Sequence, residues 1–273
     1  MSKTGATKSK DGTRIAYEIS GNGPTLVVVA GALGYIDIPF LRAFVADLAK
    51  DFRVVVYDRR GRGGSGDTPP YTVQKEIDDL DAVVRVAGDS PIVLGTSSGA
   101  ALALEAAAHG VPMGKLVAFE PPYMVGEHRK PNHVRYESDV KGYIGRGDRD
   151  GAVQLFMRTV GMPRILVAIM RLLPIWKKLL PAANTLGYDA SIMNGFELPE
   201  ARLRAIRLPT LVVGGGKSPA SLKAAVRAVG ECIPGARVVE IPKQNHAIKG
   251  AALSPVIKEF AAASRSEPAR LAI

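Results

Sequence analysis

The chain contains one cysteine, Cys232, so no internal disulfide can form and a disulfide-stapled secreted fold is excluded. Cys232 lies between a helical and an extended pattern and reads as a small buried hydrophobe. Aromatic residues are scarce at 6%, whereas Ala and Gly are plentiful, as suits an enzyme with closely packed helices. No long uninterrupted apolar run is present. Residues Ile19 to Ile36 lack charge but carry Gly and Pro, and they read as strand plus turn rather than a membrane span. The polar, basic segment Met1 to Asp11 has no apolar region behind it, so no signal peptide and no stable membrane insertion are expected, and the expected location is cytoplasmic. Neither an H-E-x-x-H pattern nor paired cysteines occur, so no metal and no cofactor are expected. The net charge of +10 is spread along the chain without the basic and aromatic interleaving of a nucleic-acid site, so no nucleic-acid partner is expected.

Two short matches carry no function. Gly61 to Gly66 fits G-x-G-x-x-G, but Asp67-Thr68-Pro69-Pro70 follows, and no helix can open on the last Gly. Gly216-Lys217-Ser218 looks like the end of a phosphate-binding loop, yet Leu211 occupies the place of its first Gly.

What is present is alternation. With 273 residues and 47% hydrophobic content, the chain can build one large α/β domain and a small insertion. Strand patterns at Thr13–Ser20, Thr25–Ala30, Phe52–Tyr57, Pro91–Leu94 and Lys115–Phe119 alternate with helical patterns at Phe40–Leu48, Val73–Val86 and Gly99–His109. From about Tyr123 to Arg207 only helical patterns occur. Strands then resume at Pro209–Val213 and Ala236–Ile241, with helices at Ser221–Val229 and Leu253–Ala263. The last ten residues or so read as a frayed tail. The expectation is a mostly parallel, helix-flanked sheet in a core of residues 1–122 and 208–273, with an all-helical cap over residues 123–207. Such an insertion belongs over the carboxyl ends of the strands, where open α/β sheets bind ligands.

The strongest motif is Gly95-Thr96-Ser97-Ser98-Gly99, a G-x-S-x-G set between the apolar run Ile92-Val93-Leu94 and the helix-forming run Ala100 to Glu105. That is the strand, sharp turn and helix required of a nucleophile elbow, with Ser97 at its tip. Small neighbours leave room for the strained turn, and the helix N-terminus favours negative charge beside it.

With the elbow in place, the chain resembles the α/β-hydrolase family over nearly its whole length. Thr25 to Leu33 (TLVVVAGAL) is similar to the family's strand that ends in an oxyanion turn, and Tyr57 to Gly66 (YDRRGRGGSG) to its D-x-R-G-x-G-x-S segment. Ala30 and Thr96 stand where many members carry His, and neither change removes a backbone donor. By position, the resemblance implies an oxyanion hole made by the N–H groups of Ala32 and Ser98. It also places the catalytic base in the loop after the last strand, which makes it His246. Of the other histidines, His109 ends a helix, while His128 and His133 lie in a charged part of the insertion and read as solvated.

The family usually carries an Asp after the strand Pro209–Val213, but Gly214 to Pro219 offers no carboxylate. Some members carry the acid one strand earlier, which here is Glu120, at the end of Leu116 to Pro122. A structural hydrogen bond at the mouth of the insertion is the other reading of Glu120, and Asp189 is the competing acid.

These residues imply hydrolysis of a carboxylic ester, lactone or thioester through an acyl-enzyme on Ser97. A Ser at the elbow argues against epoxide hydrolases and haloalkane dehalogenases, which carry Asp there. Cofactor-free haloperoxidase or perhydrolase chemistry and carbon–carbon bond hydrolysis stay open. So does a ligand-binding or signalling protein that retains the site. The apolar, basic run Arg164 to Leu180, cut into short pieces by Pro163, Pro174 and Pro181, reads as a lid whose apolar face covers the active site and lines an acyl or alkyl pocket. A membrane-surface helix is its other reading.

Overall fold

A computed structural model describes residues 2–263; the C-terminal tail expected to fray lies outside the described residues. The strands are β1 (Lys3–Lys8), β2 (Arg14–Ser20), β3 (Thr25–Val29), β4 (Arg53–Tyr57), β5 (Ile92–Thr96), β6 (Lys115–Phe119), β7 (Thr210–Gly215) and β8 (Arg237–Ile241). They form one sheet in the order β1-β2-β4-β3-β5-β6-β7-β8. The pairs β1–β2 and β2–β4 are antiparallel, and every later pairing is parallel. Parallel strands covered on both faces must be apolar throughout. Accordingly Leu26, Val27, Val28 and Val29 of β3 are all fully buried, each side chain contributing about 1.5–3 kcal/mol relative to exposure.

The core helices are α1 (Pro39–Leu48), α2 (Val73–Ala87) and α3 (Ser98–Ala108). The side chain of Thr72 caps α2 by accepting from the Lys75 N–H, and the helix buries Ile77, Leu80, Val83 and Val84. Helix α3 is buried along almost its whole length, because its run of alanines lets the backbone lie close to the sheet. Between β6 and β7 the chain forms α4 (Pro131–Gly145), α5 (Arg149–Thr159), α6 (Arg164–Arg171), α7 (Pro174–Leu179), α8 (Leu186–Ile192) and α9 (Glu200–Leu203), joined by short 3-10 turns. Helices α10 (Ala220–Cys232) and α11 (Gly250–Ala262) complete the α/β alternation.

Four details differ from the sequence reading. Strand β1 was not legible: KTGATK has no apolar alternation, and it is an edge strand paired antiparallel with β2. His133 is buried rather than solvated, with its Nδ1 accepting from the Lys130 N–H at the start of α4. Cys232 is half-buried. The apolar face of α6 does not cover the site: only Val167 is buried, Ile165 and Ile169 face solvent, and Leu172 beyond the helix is 86% exposed. The prolines leave α6 a short helix that packs on α5 and α7 along one edge.

Candidate active site

Because β3, β5, β6, β7 and β8 run parallel, their carboxyl ends open on one side of the sheet. The turn Gly31–Leu33, Ser97, Glu120 and the loop carrying His246 all follow those ends.

Ser97 links β5 directly to α3 and has φ 54° and ψ −125°. A non-glycine residue in such a conformation costs about 1–3 kcal/mol, so the surroundings must enforce it. The flanking glycines show how. A Cβ on Gly95 would strike Gly99 O, and one on Gly99 would strike the carbonyls of Val29 and Ala30. The Ser97 N–H donates to Phe119 O at 2.9 Å, tying the elbow to β6. The turn after β3 lies against it: a Cβ on Gly31 would sit 3.0 Å from Ser97 Cβ. The Ala32 and Ser98 N–H groups have no hydrogen-bond partner among the described residues, so both remain free donors beside Ser97.

Glu120 follows β6, has φ 46°, and is fully buried. Its N–H still continues the ladder to Val213 O. Its Oε2 lies 2.6 Å from His246 Nδ1, and its Oε1 accepts from the Gly215 N–H at 2.7 Å. Burial pushes this carboxyl up. The hydrogen bonds from His246 and Gly215, with the nearby Ser218 hydroxyl, outweigh burial and hold it below the ordinary carboxylate value. The Ser218 hydroxyl acts by proximity, since it makes no well-formed hydrogen bond of its own.

The loop after β8 brings His246 to this carboxylate. It crosses over the end of β7, where Lys217 N–H donates to Gln244 O and Gly216 N–H to Ile241 O. Only a glycine permits the crossing at Gly215, where a Cβ would stand 2.6 Å from Gln244 O. The imidazole stacks 6.3 Å from the Phe119 ring, next to the elbow, and is partly exposed. No hydrogen bond joins it to Ser97 Oγ, as is common before substrate binds.

The structure therefore brings Ser97, His246, Glu120, Ala32 and Ser98 together, and it sets Asp189 apart from His246. Asp189, in α8, is fully buried and holds Arg59 Nη1 and Arg62 Nη2, each at 2.7 Å, while its Oδ1 also accepts from Ser98 Oγ at 2.7 Å. Burial pushes its carboxyl up, but Arg62 and Arg59 hold it below the ordinary value. Sequence reasoning missed the arginines. Their signal was three of them, Arg59, Arg60 and Arg62, directly after a buried strand, where full solvation is impossible; all three are buried in carboxylate pairs.

Residues 26–261 match the family model described as the alpha/beta hydrolase family. An α/β hydrolase from Sphaerobacter thermophilus DSM 20745 superposes with a TM-score of 0.87 at 43% identity, over 94% of this chain and 99% of that one. An enol-lactonase from Burkholderia xenovorans LB400 superposes with a TM-score of 0.68 at 22% identity, over 94% of this chain and 99% of that one, a likeness of fold. Among curated proteins, a proline iminopeptidase, PfmaB, of Pestalotiopsis fici is 33% identical over 98 residues, which is 34% of this chain and 35% of that protein. This chain thus matches only about a third of that curated relative's length.

Proposed function

The chain belongs to the α/β hydrolase family, and within it we propose a serine hydrolase that cleaves a carboxylic ester, lactone or thioester through an acyl-enzyme on Ser97. The observation that carries the reading is the 2.6 Å contact between His246 Nδ1 and the buried Glu120 carboxylate beside the strained Ser97.

An ionised Glu120 accepts only, so His246 Nδ1 carries the proton and Nε2 is left as the base. Ser97 Oγ attacks the substrate carbonyl while Nε2 takes its proton. The carbonyl oxygen becomes an oxyanion held by the Ala32 and Ser98 N–H groups, each donor lowering the barrier by about 3 kcal/mol. The imidazolium, steadied by Glu120, returns its proton to the leaving oxygen or sulfur. Water, deprotonated by the same nitrogen, then releases the acid. The substrate of this reading is a small molecule. A ligand-binding reading rests on the lack of a carboxylate in Gly214 to Pro219, and Glu120 in contact with His246 supports the enzymatic reading instead.

Labelling with a fluorophosphonate tests the assignment. The wild-type chain should be labelled and should hydrolyse p-nitrophenyl acetate. Ser97→Ala should lose both, and His246→Ala should label much more slowly. Full labelling of Ser97→Ala would refute the mechanism.

A further inference from the structure

Resting on that reading, we infer that Asp189, from the helical insertion, is a positioning residue that aims both oxyanion donors through Arg62 and Ser98. Four charges meet beneath the oxyanion turn: Arg59, Arg62, Glu76 and Asp189, all buried. Arg59 grips Glu76 with Nε at 2.7 Å and Nη2 at 3.0 Å, and it reaches Asp189 and Ala30 O with Nη1. Arg62 donates from Nε to Thr185 Oγ1 at 2.8 Å, from Nη2 to Asp189 Oδ2 at 2.7 Å, and from Nη1 to Gly31 O at 2.8 Å. Two guanidinium and two carboxylate groups cancel, and every nitrogen of both guanidinium groups donates a hydrogen bond.

Burying such a cluster is a poor way to gain stability, because desolvation offsets the attraction and apolar residues would serve as well. What the cluster does have is contact with both halves of the oxyanion hole. The Gly31 carbonyl shares a peptide plane with the Ala32 N–H, and in a trans peptide the two point in opposite directions. Arg62 holds Gly31 O together with the Gly34 N–H, which donates to it at 3.1 Å, and so helps to fix that plane and turn the Ala32 N–H to the Ser97 side. A cation on the carbonyl also polarises the peptide and makes its N–H a stronger donor. On the other half, the Ser98 hydroxyl is anchored on Asp189 Oδ1, which fixes the residue whose N–H is the second donor. One carboxylate of the insertion therefore holds both halves in register, and a shift of α8 reaches the oxyanion hole without touching Ser97 or His246.

The test compares Ser98→Ala, which removes one anchor and no charge, with Asp189→Asn, in the full-length chain. Fluorophosphonate titration counts active sites, and circular dichroism melting reports the fold. Both variants should lose kcat per active site, about threefold or more for Ser98→Ala and about tenfold or more for Asp189→Asn. That is a fraction of the roughly 10²–10³-fold cost of deleting an oxyanion donor. KM should stay within about twofold. Affinity for a trifluoromethyl ketone, which forms the oxyanion, should fall by the same factor as kcat/KM. If Ser98→Ala, folded and titrating fully, keeps its kcat and its ketone affinity, the inference is wrong; should Asp189→Asn fail to fold, Ser98→Ala decides alone. A wild-type chain that is neither labelled nor active would refute the serine hydrolase reading itself.

Discussion

Replacing Glu120 by Gln exchanges one acceptor for a donor at the centre of the site, where both carboxylate oxygens are in use. The buried carboxylate accepts from His246 Nδ1 at 2.6 Å and from the Gly215 N–H at 2.7 Å. An amide has one acceptor and one donor. With its oxygen kept on Gly215, its NH₂ faces Nδ1, and the imidazole must carry its proton on Nε2, where it can no longer serve as a base. With its oxygen turned to Nδ1, NH₂ confronts the Gly215 N–H in a buried place, a clash that leaves two donors unpaired at about 1–3 kcal/mol each. Either arrangement also removes the negative charge that steadies imidazolium in the transition state. Loss of a triad carboxylate in this way lowers kcat by about 10⁴ in a well-studied serine protease. We expect about 10³–10⁴ here, or roughly 4–5.5 kcal/mol of barrier. The assay is kcat for p-nitrophenyl acetate per titrated active site, with melting curves and circular dichroism to verify the fold. A folded Glu120→Gln protein with kcat within tenfold of the wild type would refute the assignment and return Glu120 to a structural role.

Further outcomes rest on separate observations. The carboxyl of Glu120 titrates below its ordinary value of 4.5 in the folded chain, so its ionisation stabilises the fold above that value, and the contribution is lost as pH falls through the lower folded value. The melting-temperature gap between wild type and Glu120→Gln should therefore be full at pH 6 and narrow by pH 3; a gap independent of pH would contradict the charged contact. Gly215→Ala places a Cβ 2.6 Å from Gln244 O and should push the His246 loop aside, lowering kcat by about tenfold or more with the fold retained; unchanged kinetics would show that the loop adapts. Gly99→Ala drives a Cβ into two backbone carbonyls of β3 and its turn, and should destabilise by about 1–3 kcal/mol or more, read as the denaturation midpoint. Leu172→Ser removes a side chain that is 86% exposed, and stability should change by no more than about 0.5 kcal/mol; a large loss would mean that the leucine is packed against something.

How legible each feature is in the sequence depends on how far apart its determinants lie. The buried strands announce themselves because a strand covered on both faces must be apolar throughout, as in Leu26 to Val29. The elbow does so because a close approach on both sides of Ser97 leaves room only for Gly95 and Gly99. Glu120 is of another kind. A single Glu after an apolar run fits a catalytic acid and a structural hydrogen bond equally well. The choice between them depends on a loop 126 residues later that reaches it only by crossing Gly215. Asp189 stands as a competitor for the same reason. A lone acid in a helical stretch looks available, and nothing nearby in the sequence shows that its charge is already taken by Arg59 and Arg62, 130 and 127 residues earlier. Buried charges have to be matched, so three arginines after β4 required carboxylate partners somewhere in the chain, and that count could have been made beforehand. The count alone does not name the partners; the fold assigns Glu76, Asp79 and Asp189 to the arginines and leaves Glu120, at a strand end, to face the imidazole.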